Sequence, residues 1–168
     1  GQPNPWYYEM PEVGWNYRAS DIHCALGLSQ LGKLQRFSAR RRHLAARYDR
    51  LLADLAPAVV PNPAVAGCTP VLHLYAVHID FDSLGSERAA VMNRLRDAGV
   101  GTQVHYIPVH LQPYYRRQAP TLSLPGAEAY YRSTLTLPLF PSLRDDDVDR
   151  VVATLAGAIG VTGRGSPP

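Results

Sequence analysis

The sequence predicts an α/β fold of the α+β kind, in which a long bridging helix leads into a small sheet flanked by helices. Three observations carry this. Leu34, Phe37, Leu44, Tyr48, Leu51 and Leu55 recur at helical spacings across residues 33–55. Residues 71–81 are then rich in β-formers and read as a strand. Residues 145–159 return to a helical period, with Val148, Val151, Val152, Leu155 and Ile159 on one side. A chain of 168 residues, 46% hydrophobic and 18% charged, has the length and balance of a folded domain with a real core.

Taken in order, residues 1–19 hold three prolines, two tryptophans and three tyrosines, and read as an aromatic loop. Ser20 or Asp21 offers an N-cap for a helix over 21–31, and Gly32 a hinge after it. The long helix ends at Pro57, Pro61 and Pro63. After the strand at 71–81 comes a helix at 86–98, stopped by Gly99, and a second strand at 102–107, halted by Pro108. A short helix at 126–133 and an extended stretch at 135–139 precede the last helix, whose first turn carries three aspartates suited to the helix dipole. The expected organisation is a loop at 1–19, bridging helices at 20–56, a small α/β domain at 57–160 and a flexible tail at 161–168.

Composition narrows the function classes. The net charge of +3 is too small, and the basic field too narrow, for a nucleic-acid binder. Arg40, Arg41, Arg42, Arg47 and Arg50 read instead as a solvated helix face, with an anionic partner as the alternative. No apolar run approaches the ~20 residues that span a bilayer. Cys24 and Cys68 form neither a disulfide framework nor a zinc spacing, so no metal is expected and a reducing, cytoplasmic setting is. Lys33 is the single lysine beside 16 arginines, leaving one side-chain amine for Schiff-base chemistry.

Two clusters could carry chemistry. Gly14-Trp15-Asn16-Tyr17-Arg18 places the donors of Asn16 and the charge of Arg18 just before a helix, where a phosphate or carboxylate could bind. A loop whose polar groups pair with backbone accounts for the same residues. His105-Tyr106-Ile107-Pro108-Val109-His110, continuing to Tyr114 and Tyr115, combines rings that stack on sugar faces with imidazoles that bond polar edges. Packed core tyrosines and capped histidines are the alternative. His23, His43, His73 and His78 show no constellation.

In this order and at this spacing the clusters resemble the DegT/DnrJ/EryC1/StrS family of pyridoxal-phosphate (PLP)-dependent sugar aminotransferases. The run from Gly14 to Leu31 is similar to the family's GYNYR signature, with Trp15 in place of the usual tyrosine. The arginine-rich helix ending at Tyr48, the His73-Leu74-Tyr75 strand, the segment from His105 to Tyr115 and Leu135-Thr136-Leu137-Pro138-Leu139 extend the resemblance over nearly all of 5–159. Pro5-Trp6-Tyr7-Tyr8-Glu9-Met10 and Val104 to Tyr115 look like the branch of the pseudaminic acid pathway.

The resemblance implies the C-terminal small domain of a type I aminotransferase fold, in a homodimer with shared active sites. It implies PLP as cofactor, with Asn16 reaching the phosphate of the neighbouring subunit's PLP and Arg18 also at the cofactor. It implies glutamate as amine donor and a UDP-linked keto deoxysugar as acceptor, bound through His105 and Tyr106 and also His110 and Tyr114. The family's catalytic lysine, the aspartate at the pyridine nitrogen and the stacking aromatic have no counterpart here, and Lys33 does not replace the lysine. This chain by itself is therefore expected to be inactive. A non-catalytic nucleotide-sugar-binding module, or a family member acting on another keto sugar, are the alternatives.

Overall fold

The computed structural model describes residues 9–161. Residues 5–8 of the Pro-Trp-Tyr-Tyr motif, and the tail from 162 on, lie outside the described residues. The chain divides after Leu34 into two compact units.

From residue 9 the first unit runs as irregular chain to Ser20 and then forms α1 (Asp21–Leu31). Ser20 caps it as expected: its backbone is extended, and its Oγ accepts from the His23 amide at 3.5 Å. Asp21 sits at the positive end of the dipole. Gly32 and Lys33 make the turn that follows. No side chain of α1 is buried.

The second unit, from Gln35, takes in all but the first residue of α2 (Leu34–Leu52), which is prolonged by a 3-10 turn over Ala53–Leu55. Its buried stripe is Ser38, Leu44, Ala45, Tyr48 and Leu52. Three antiparallel strands follow, β1 (Val59–Pro61), β2 (Tyr75–Ile79) and β3 (Thr134–Leu137), in the order β1-β2-β3. Val59 faces Ile79, and Tyr75 faces Leu137. On β2 the side chains of Tyr75, Val77 and Ile79 are buried while Ala76 and His78 are half-buried, the period of two expected of a strand. Between β2 and β3 lie α3 (Arg88–Asp97), α4 (Pro113–Gln118) and α5 (Pro125–Ser133); α6 (Asp145–Ile159) closes the unit.

One core joins these elements. Leu44, Tyr48 and Leu52 of α2, the inward residues of β2 and β3, Val91 and Leu95 of α3, and Val148, Val151 and Leu155 of α6 belong to the same cluster. Each such aliphatic side chain, taken fully out of water, contributes about 1.5–3 kcal/mol. Tyr48 stacks on Tyr75 with ring centroids 4.6 Å apart. Both hydroxyls are satisfied, Tyr48 donating to Pro138 O at 2.9 Å and Tyr75 to Asp49 Oδ1 at 2.6 Å. Burial pushes both phenols above their ordinary range, and Asp49 adds to the effect on Tyr75.

Several expectations are corrected. Residues 102–107 do not form a strand; only Gln103 bridges Thr136, with two backbone hydrogen bonds of 3.2 and 2.8 Å. The Gln103 side chain then takes the Val104 amide at 2.9 Å, and the ladder goes no further. The Pro-rich connector contains a strand, β1, because Pro61 sits at its end on an edge of the sheet, where a missing donor is tolerated. α4 was not anticipated. The arginines of α2 are not all solvated. Arg40 reaches Asp145 at 2.8 Å and Leu143 O at 2.6 Å, and Arg47 holds Asp149 through two bonds of 2.7 and 2.6 Å. Arg42 and Arg50 alone of the five are exposed. α6 therefore uses its aspartates twice, for its own dipole and to tie itself to α2; Asp147 also takes the Arg144 amide in a capping box.

Helix ends follow the sequence closely. Gly99, at φ +78°, ends α3 with its amide on Arg96 O, and Gly160, at φ +72°, ends α6. Arg94 donates to Ala158 O at 2.7 Å, a cation at the negative end of α6.

Candidate functional site

The candidate residues fall in both units. In the first, Asn16 and Arg18 are exposed on the irregular chain before Ser20 and the start of α1. Trp15 and Tyr17 stack on each other, centroids 6.0 Å apart and planes within 7°, and are 85% and 87% exposed. Their alternation sends Trp15 and Tyr17 one way and leaves Asn16 and Arg18 between and beyond them as donors. An amide and a guanidinium so exposed, ahead of a helix start, have the chemistry to take a phosphate. They fit that part of PLP and no more of it: the single lysine, Lys33, lies in the turn after α1.

In the second unit the segment from His105 to Tyr115 is anchored at two points. His105 Nδ1 lies 2.9 Å from Thr136 Oγ1 of β3, and its ring meets that of Tyr106 edge-on at 4.7 Å. The chain then makes a 3-10 turn over Val109–Leu111, which buries His110. His110 Nε2 is 3.0 Å from Glu128 Oε1 of α5. Between and beyond these anchors the aromatic side chains face outward, Tyr106 at 71% exposure and Tyr114 at 59%. Tyr114 meets Tyr115 edge-on at 5.1 Å. The segment thus presents rings on a framework fixed by two buried or half-buried imidazoles.

Two partners were not legible in the sequence. Thr136 has no local signal linking it to His105. Glu128 follows Ser123 and Pro125 at a spacing that marks a helix start, which would have found its cap role but not His110. His78, without a visible constellation in the sequence, has one in space: Nδ1 to Ser133 Oγ at 2.8 Å, Nε2 to Asn62 Oδ1 at 2.6 Å, and its ring edge-on to Tyr130. It pins the connector before β2 to the end of α5. It also lines a recess of about 480 Å³ with Asp80, Arg88, Tyr131 and Ser133, which none of the nominated residues borders. Arg88 is already engaged there, donating to Tyr131 O and lying over the Tyr131 ring at 4.6 Å. Among the described residues no cluster of His, Cys, Asp or Glu could hold a metal ion, and no helix is long and apolar enough to cross a membrane.

A model of the DegT/DnrJ/EryC1/StrS aminotransferase family matches residues 1–156. The chain belongs to this family. It is 38% identical over 150 residues to the spore coat polysaccharide biosynthesis protein SpsC of Bacillus subtilis (strain 168), covering 88% of this chain and 38% of SpsC. Helicobacter pylori PseC, an aminotransferase involved in the biosynthesis of pseudaminic acid, superposes with a TM-score of 0.82 at 26% identity, over 95% of this chain and 42% of PseC. The PLP form of the putative sugar aminotransferase Spr1654 of Streptococcus pneumoniae superposes at 0.79 and 28%, over 92% and 39%. The chain therefore has the fold of part of an aminotransferase and spans about two fifths of the length of the relatives it matches.

Proposed function

We propose that this chain is the C-terminal small-domain portion of a PLP-dependent sugar aminotransferase. It would move an amino group from glutamate to the C4 keto carbon of a UDP-linked deoxysugar, in pseudaminic acid biosynthesis, as a cytoplasmic homodimer. The observation that carries the reading is the unbroken family match over 1–156, which takes in both candidate segments. The likeness to PseC supports the pseudaminic acid branch, and that to SpsC supports the broader class of surface-polysaccharide sugars.

When bound, PLP supplies the electron sink for amine transfer. The residues of this chain do the rest of what it contributes. Asn16 and Arg18 donate to the cofactor's phosphate from the exposed chain before α1. His105, its ring orientation set by Thr136, offers Nε2 to a polar edge of the nucleotide sugar. Tyr106 and Tyr114 give ring faces to the apolar faces of sugar and base. His110 belongs to the same segment but is turned inward, so its contribution passes through the shape of the turn it sits in. The catalytic lysine is not among these 168 residues, and the chain by itself binds without turning over.

A titration with PLP, followed by visible absorption, tests this on the chain alone and on the longest reading frame that contains it. A lysine-dependent band only in the longer protein is the expected result. A band in the chain alone would implicate Lys33 and overturn the assignment.

A further inference from the structure

Glu128 gathers three donors on a single oxygen. Its Oε1 lies 3.0 Å from His110 Nε2, 3.1 Å from the Leu124 amide and 3.3 Å from Ser123 Oγ. These donors sit at the two ends of one stretch of chain. His110 opens it in a 3-10 turn, and Ser123 and Leu124 close it at the start of α5. Between them lies α4, which carries Tyr114 and buries no side chain. With no core contact to order α4, the chain on either side must do so. A carboxylate that bonds both ends replaces the missing apolar anchor, and charge-assisted bonds are stronger than neutral ones.

His110 is 7% exposed. An imidazole so buried must be paired, since leaving it unpaired would cost the desolvation of its N–H. The bonds also act on the acid: His110 first, then the Leu124 amide, hold the Glu128 carboxyl below the usual carboxylate range. It is therefore charged, and a full-strength acceptor, at neutral pH.

The geometry points to Glu128 as a positioning residue, a clamp that closes residues 110–124 into one fixed loop and so holds Tyr114, which that loop carries, in the arrangement it presents. The sugar-binding part of this inference rests on the reading proposed above; the clamp itself does not. A simple N-cap for α5 would need only the Leu124 bond. The His110 bond extends the hold to the far end of the loop.

Amide hydrogen exchange on this chain separates the two, using Glu128→Ala and Glu128→Gln. The clamp predicts that Glu128→Ala speeds exchange across residues 109–118 by about tenfold or more while β2, β3 and α6 stay protected, as a local opening does. Glu128→Gln keeps an amide oxygen for the same donors and should recover much of the protection. It also serves as the readout if the alanine variant folds poorly. Unchanged exchange at 109–118, a rise confined to the first turn of α5, or a rise spread evenly over the core would each overturn the clamp. Binding of UDP-N-acetylglucosamine, measured by calorimetry on the same variants and on Tyr106→Ala, keeps the two readings apart. A loosened loop with no change in binding would leave the clamp standing and sink the sugar-site reading. Weaker binding in Tyr106→Ala with a tight loop would support that reading independently.

Discussion

Helices α1 and α6 differ in where their apolar residues go. α1 carries Ile22, Ala25, Leu26, Leu28 and Leu31 around its circumference and buries none of them. α6 carries Val148, Val151, Val152, Leu155, Ala158 and Ile159 and buries all six. The charge pattern accounts for it. α6 sets Asp145, Asp146, Asp149 and Arg150 against its apolar residues, so one face is marked for solvent and the other for the core. α1 has a single acid at its start and small residues between its leucines, so no face is marked for water. A helix whose apolar residues are spread around it, with only His23, Ser29 and Gln30 among them after Asp21, has no single face to give to a core. The difference teaches that patterning, more than hydrophobic content, decides which helix the small domain takes into its own core.

The comparison can be broken most sharply at Leu155, which is fully buried. Leu155→Ala should lower the unfolding free energy by about 2–5 kcal/mol in urea titration, through lost burial and the cavity left behind. A loss below ~1 kcal/mol would mean that α6 does not anchor the core. Tyr75→Phe should cost about 0.5–1.5 kcal/mol by removing the bond to Asp49 from a buried ring that otherwise stays in place. Acid should act on α6. Bonds from His43 and Arg40 lower the pKa of Asp145, Arg144 lowers that of Asp147, and Arg47 that of Asp149. Their contribution is complete above the ordinary aspartate value near 3.9, and is lost as pH falls through the lower folded values. Melting temperature should therefore drop on acidification, less steeply in Asp149→Asn. Arg47 and Asp149 are 27% and 43% exposed, so solvent screening keeps this effect modest. Equal slopes for the two proteins would remove the Arg47–Asp149 pair from the account. Smallest of all, Leu26→Ala in α1 should change stability by less than ~0.5 kcal/mol. A larger loss would show that α1 is packed in solution.

What the sequence disclosed was whatever repeats locally. α2, α3 and α6 were readable because their apolar residues return every three or four positions, the start of α1 because Ser20 caps it, and the end of α3 because Gly99 takes a positive φ. Strand 102–107 was misread because Thr102 to Ile107 has β-forming residues but only Gln103 finds a partner on β3. α4 escaped because six residues with no buried side chain leave no stripe to see. At the candidate site the aromatic and imidazole residues were visible, and their exposures were not. His110 and Tyr114 look alike as polar aromatics four residues apart, yet one faces Glu128 inside and the other faces solvent. The long-range partners that decide this, His105 with Thr136 and Arg47 with Asp149, stand 31 and 102 residues apart, beyond any local pattern.

Ser133 ends α5 and Thr134 begins β3, so no residue is left between them to serve as a joint. Helix and strand are thus one continuous stretch of chain, 125–137. At one end of it Glu128 grips His110, and at the other Thr136 grips His105. The two histidines that flank Tyr106 in sequence are thus both hydrogen-bonded to that one stretch. Because β3 is itself paired with β2 and buried along its length, both ends of the segment that carries Tyr106 are referred to the sheet of the core.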